Sequence, residues 1–95
     1  MDRSGGLDEL IRQGREVTDR LWEAPEDREI RARARELFAT LQQTVHTAGD
    51  PAMIELCELF CPSANAAPTP QAIEIMQDGL QQLHQLWLAG RARLA

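Results

Sequence analysis

Residues 50–62 read Asp-Pro-Ala-Met-Ile-Glu-Leu-Cys-Glu-Leu-Phe-Cys-Pro, and this stretch decides the architecture. Asp50 is a favoured helix cap, and Pro51 fits the first helical position. Wound at about 3.6 residues per turn, the segment sets Glu55 and Glu58 along one narrow edge. Met53, Ile54, Leu56, Cys57, Leu59, Phe60 and Cys61 then sweep roughly 220°, about twice the stripe of an ordinary surface helix. A helix so apolar has to be covered on two sides, by longer helices of its own chain or by another chain. Pro62 disfavours helical geometry at Cys61, so the segment is expected to stop there.

Upstream, Ala48-Gly49 punctuates the chain, because Gly49 takes the left-handed position after a helix end. The segment before it predicts a helix from Pro25 to Thr47, with Pro25 in its first turn. Its stripe is Ile30, Ala34, Leu37, Leu41 and Val45, with Phe38 on the shoulder. A helix over Leu7–Trp22 precedes it, with Leu7, Leu10, Ile11, Val17, Leu21 and Trp22 at helical spacing. Gly14 and Thr18 share that stripe. Gly14 costs about 1 kcal/mol relative to Ala, and its position admits either close approach by another helix or tolerated weakness. Asp8 with Arg12 and Glu16 with Arg20 are acid-before-base pairs four apart. Residues 1–6, ending in Ser4-Gly5-Gly6, read as a frayed start.

Downstream, residues 62–70 (PSANAAPTP) read as a semi-extended loop. It is long for a link between adjacent helices. It serves either as a crossing over one end of a bundle or as a hinge for exchanging the last helix between copies. Thr69-Pro70 opens a helix running to Arg93. Ile73, Met76, Leu80, Leu83, Trp87, Gly90 and Leu94 form one seam at alternating spacings of three and four. Ile75, Gly79, Gln82, Leu86 and Ala89 form a second. Two seams call for two neighbours. The expected fold is all-α, a small helical bundle of three longer helices and one short apolar helix, with residues 7–95 as a single domain.

The chain has 95 residues, a net charge of -5 and no lysine, so all ten bases are arginine. That bias, with abundant Ala and Leu, suggests GC-rich bacterial coding and says nothing of mechanism. Acidity argues against direct nucleic-acid contact. No apolar run is long enough for a membrane span, and the N-terminus lacks the apolar core of a signal peptide. Two cysteines without a secretion signal suggest free thiols and a cytoplasmic location.

Motifs for chemistry are sparse. Cys57 and Cys61 lie four apart on one helix face, within disulfide reach but with poorly directed Cβ bonds. They read as buried thiols, with a redox switch as the alternative. His46 and His84 stand alone in their helices and read as solvated side chains. Glu55 and Glu58 read as a wet helix edge, with no nucleophile or phosphate-binding loop beside them. Trp22 and Trp87 each end an apolar stripe, as core anchors or as partner hot spots. The run Arg31-Ala32-Arg33-Ala34-Arg35 reads as helical ion pairing, Asp27 to Arg31 and Glu29 to Arg33, on a solvated face. No cofactor or metal is expected.

The first helix, LDELIRQGREVTDRLW (7–22), resembles the opening of the small all-helical chorismate mutases. That likeness implies Arg12, Arg20 and Arg35 gripping a dianion, but those enzymes also use a lysine, which is absent here.

Residues 1–50 hold eleven acids and eight arginines, whereas residues 51–95 hold four acids and two arginines, both beyond Gly90. Charge depletion around an apolar patch is the composition of a protein–protein interface. The expected function is a non-enzymatic regulator that masks an apolar surface of another protein. In size, acidity and helical character the chain is similar to the small bacterial antiactivators of LuxR-type quorum-sensing regulators. That likeness implies stoichiometric sequestration of a transcriptional regulator. The candidate contact residues are Leu56, Leu59, Phe60, Ile75, Leu86 and Trp87, and a homodimer is also expected. A self-associating structural protein or a secretion-type chaperone is the alternative.

Overall fold

Side-chain caps divide the chain into its helices by satisfying the free N–H groups of each first turn. In the computed structural model, which describes residues 4–94, α1 spans Ser4–Glu23, α2 Arg28–Ala48, α3 Pro51–Phe60 and α4 Pro70–Leu94. A 3₁₀ segment, Cys61–Asn65, follows α3 directly. The fold is all-α, as expected. Expectations for residues 1–3, and for the side chains of Arg91, Arg93 and Leu94, lie outside the described residues.

Three caps match the sequence reading. Gly49 adopts φ 79°, and its N–H donates to the Val45 carbonyl at the end of α2. Asp50 accepts from the N–H groups of Ala52 and Met53, with Pro51 in the first turn of α3. The Thr69 hydroxyl accepts from the Ala72 N–H at 3.1 Å and starts α4.

Three boundaries differ. First, α1 begins at Ser4, ahead of Leu7. Second, α2 begins three residues after Pro25, because the Asp27 carboxylate accepts from the Glu29 and Ile30 N–H groups at 2.9 and 3.2 Å. A carboxylate cap outcompetes the mild preference of proline for a first turn. Third, Cys61 is helical at φ -60°, ψ -37°, and its N–H reaches the Cys57 carbonyl. Pro62 opens the 3₁₀ segment instead of stopping the chain, since proline is tolerated in a first turn. Burial of Cys61 offsets the steric bias against this geometry. Only residues 66–69 then link the 3₁₀ segment to α4, so the long hinge expected from PSANAAPTP is shortened to four residues.

α1 packs between α2 and α4, while α3 and its 3₁₀ extension pack between the same two helices on the opposite side. α1 runs antiparallel to α4, since Trp22 meets Gln77 and Gly14 meets Leu80. The core comes from all four helices and includes Ile11, Val17, Phe38, Leu41, Cys57, Phe60, Leu80 and Leu83. Thr18 is fully buried among them, and its hydroxyl donates to the Gly14 and Arg15 carbonyls. The first seam of α4 is the inward one, as Ile73, Met76, Leu80 and Leu83 are all buried.

Two glycines set the helix spacings. A Cβ on Gly14 would stand 3.0 Å from both Leu80 methyls, so Gly14 is a site of close approach. A Cβ on Gly79 would overlap the root of the Phe60 ring. Phe60 therefore fills a notch on the second seam of α4, and its ring also meets Phe38 edge-on with centroids 6.0 Å apart. This one side chain ties α3 to both α2 and α4.

Candidate protein-binding surface

The Phe60–Gly79 contact orients α3 on α4, and helical phase places the remaining apolar residues. Leu56 precedes Phe60 by four residues, so both lie on the flank of α3 turned to α4; Leu59, next to Phe60 in the chain, is turned outward to the edge of that flank. Ile75 precedes Gly79 by four and Leu86 follows it by seven, so both lie on the α4 seam that faces α3. Leu56 thus lies on the side of α3 that faces α4, Ile75 and Leu86 on the side of α4 that faces α3, and Leu59 at the outer edge of α3.

Their exposures differ sharply. Leu59 is 73% exposed and Ile75 is 45% exposed, whereas Leu56 and Leu86 are half-buried against the core. Phe60 is 2% exposed, which corrects the expectation that it lies open to another chain. The apolar arc of α3 that α4 covers includes Phe60, because Gly79 leaves room for the ring. Trp87 belongs to the other, inward seam and is half-buried. Glu55, Glu58, Glu74 and Asp78 are the exposed carboxylates of residues 51–90, and no arginine lies between Pro51 and Gly90.

Exposure at Trp22 was missed by apolar patterning. It ends the α1 stripe yet is 41% exposed, its indole N–H donating to the Gln77 side-chain oxygen at 3.1 Å. The Gln77 amide in turn donates to Asp19 at 3.2 Å. This polar clamp crosses from α1 to α4 at the bundle edge, so Trp22 serves there and is not a core anchor.

The arginines of α2 also differ from expectation. Asp27 is committed to its cap, and no carboxylate lies within ion-pair distance of Arg28, Arg31, Arg33 or Arg35 among the described residues. Ion pairing is instead concentrated on α1, where Arg12 bonds Glu9 and Glu16, and Arg20 reaches Glu16. The Arg12 guanidinium, helped by the Gln13 amide, holds the Glu9 carboxyl down to about 2. Arg20 lines the cleft between α1 and α2, whereas Arg35 lines a separate surface cleft with Arg28 and Arg31.

Cys57 and Cys61 are free and buried. The Cys61 thiol donates to Cys57, which raises Cys61 far above its ordinary range; burial adds to that rise. The same bond lowers Cys57, against the opposing effect of burial. No three His, Cys, Asp or Glu residues converge as a metal site among the described residues. The cleft between α1 and α2, lined by Val17 and Ile30, measures about 130 Å³. No described helix is long and apolar enough to cross a membrane.

No family model, curated protein or solved structure matches the chain.

Proposed function

We propose that the chain is a protein-binding regulator whose α3–α4 groove covers an apolar surface of another protein, and that the partner is a transcriptional regulator held inactive by sequestration. The observation that carries this reading is Leu59, a leucine 73% exposed in a stretch, residues 51–90, that holds four carboxylates and no arginine. Exposed leucines are ordinary singly. Here Leu59 stands at the outer edge of the α3 flank that carries half-buried Leu56, and exposed Ile75 and half-buried Leu86 lie on the α4 seam opposite, which supports an apolar patch along this edge. An apolar centre with a charged rim is the anatomy of a binding patch. The negative charge of residues 51–90 favours a partner whose apolar surface is flanked by basic residues. It disfavours a two-fold dimer through the same face, since that would set acid against acid.

The test is affinity capture with the wild-type chain and with Leu59→Asp and Ile75→Asp variants. Both positions are exposed, so the variants are expected to stay folded and to lose the partner. Titrating the chain into the captured protein is then expected to abolish that protein's DNA binding at stoichiometric amounts. If every captured protein binds the Leu59→Asp and Ile75→Asp variants equally well, the groove is not the binding face.

A further inference from the structure

We propose that Arg28, Arg31 and Arg35 form a second docking stripe, specific for an acidic segment of a protein partner. The three residues recur at spacings of three and four, so they share one face of α2. They line one surface cleft of about 270 Å³. Arg28 and Arg31 continue into a notch of about 500 Å³ bounded by Pro25, Glu26, Ala67, Pro68 and Thr69. Arg31 is only partly exposed, held near the loop of residues 66–69.

Two observations separate this stripe from an ordinary solvated face. The chain carries fifteen acids, yet none lies within ion-pair distance of these guanidiniums among the described residues. Arg28 also lies in the first turn of α2, where the helix dipole favours anions and opposes cations. An external anion would answer both the unpaired guanidiniums and the dipole. Arginine suits that role, since its planar fork binds carboxylates in pairs.

The stripe rises about 10 Å along the helix. An extended acidic segment presents same-face carboxylates about 7 Å apart, so two of them fit. Nucleic acid fits less well. The cleft is bordered by Glu26, and Asp27, Glu29 and Glu36 are exposed on the same helix region, so a long phosphate backbone meets repulsion on either side. The stripe lies on α2 and does not depend on the groove reading.

A fluorescently labelled hexaglutamate peptide tests the proposal by anisotropy. Saturable binding is expected, weakening as salt screens the charges. The Arg28→Gln, Arg31→Gln, Arg35→Gln triple variant is expected to bind at least about tenfold more weakly, since losing one such bond already accounts for that factor. Leu59→Asp is expected to bind like wild type. Glutamine retains helix propensity, and circular dichroism checks the fold. Arg35→Gln alone gives the same reading should the triple variant unfold. Absence of saturable binding, or equal binding by the variants, overturns the proposal. So does tighter binding of an oligothymidylate of equal charge, which would make nucleic acid the ligand.

Discussion

Gly14 and Gly79 are the same residue type on two helices, and their surroundings give opposite predictions. Replacing a helical glycine with alanine gains about 1 kcal/mol of propensity. At Gly14 the new methyl meets only the Leu80 methyl tips, at 3.0 Å, and those can turn away. Gly14→Ala is therefore expected to melt within a few degrees of wild type. At Gly79 the methyl meets the Phe60 Cβ and the ring carbons nearest to it, which cannot move without moving α3. Overpacking costs about 1–3 kcal/mol and outweighs the propensity gain, so Gly79→Ala is expected to melt several degrees lower. Thermal melts of the pair check this; a Gly79→Ala chain as stable as wild type would mean that Phe60 does not occupy the notch. Sequence placed Gly14 on a stripe but left two readings open. A single helix pattern carries no distance to the next helix.

At the scale of elements, α3 and the 3₁₀ segment form one continuous cover over the gap between α2 and α4. Cys57 and Cys61 hold its inner side. Both thiols are buried, and Cys61 is pushed far from ionisation by its bond to Cys57 and by desolvation. Thiol reactivity depends on an accessible thiolate. Neither cysteine is expected to react with an aromatic disulfide reagent in the folded protein, and both are expected to react at once in denaturant. Rapid labelling of the native chain would revive the redox reading. The caps at Gly49, Asp50 and Thr69 were legible because each acts within four residues. The helical state of Cys61 was not, because the local bias from Pro62 competes with burial that only the assembled bundle provides.

Across the whole molecule, Phe60 is the joint on which α2, α3 and α4 converge. Truncating a buried phenylalanine costs about 3–5 kcal/mol, against a total stability of about 5–14 kcal/mol for a domain of this length. Phe60→Ala is expected to lower the denaturation midpoint sharply, and Leu59→Ala hardly at all. Chemical denaturation of the two variants separates core from surface, and equal losses would contradict the packing of α3. The same packing leaves two outward surfaces of opposite character: exposed Leu59 and Ile75 on the arginine-free helices α3 and α4 up to Gly90, and an arginine stripe on α2. Sequence alone determined the all-α class, the order of the helices, the capped breaks and the two seams of α4, because periodicity and capping are local properties. Which flank of Asp50–Pro62 remains open was decided only by tertiary structure. Leu59 and Phe60 are adjacent in an equally apolar helix, and the absence of a side chain at Gly79, nineteen residues beyond Phe60, draws one inward and leaves the other in water.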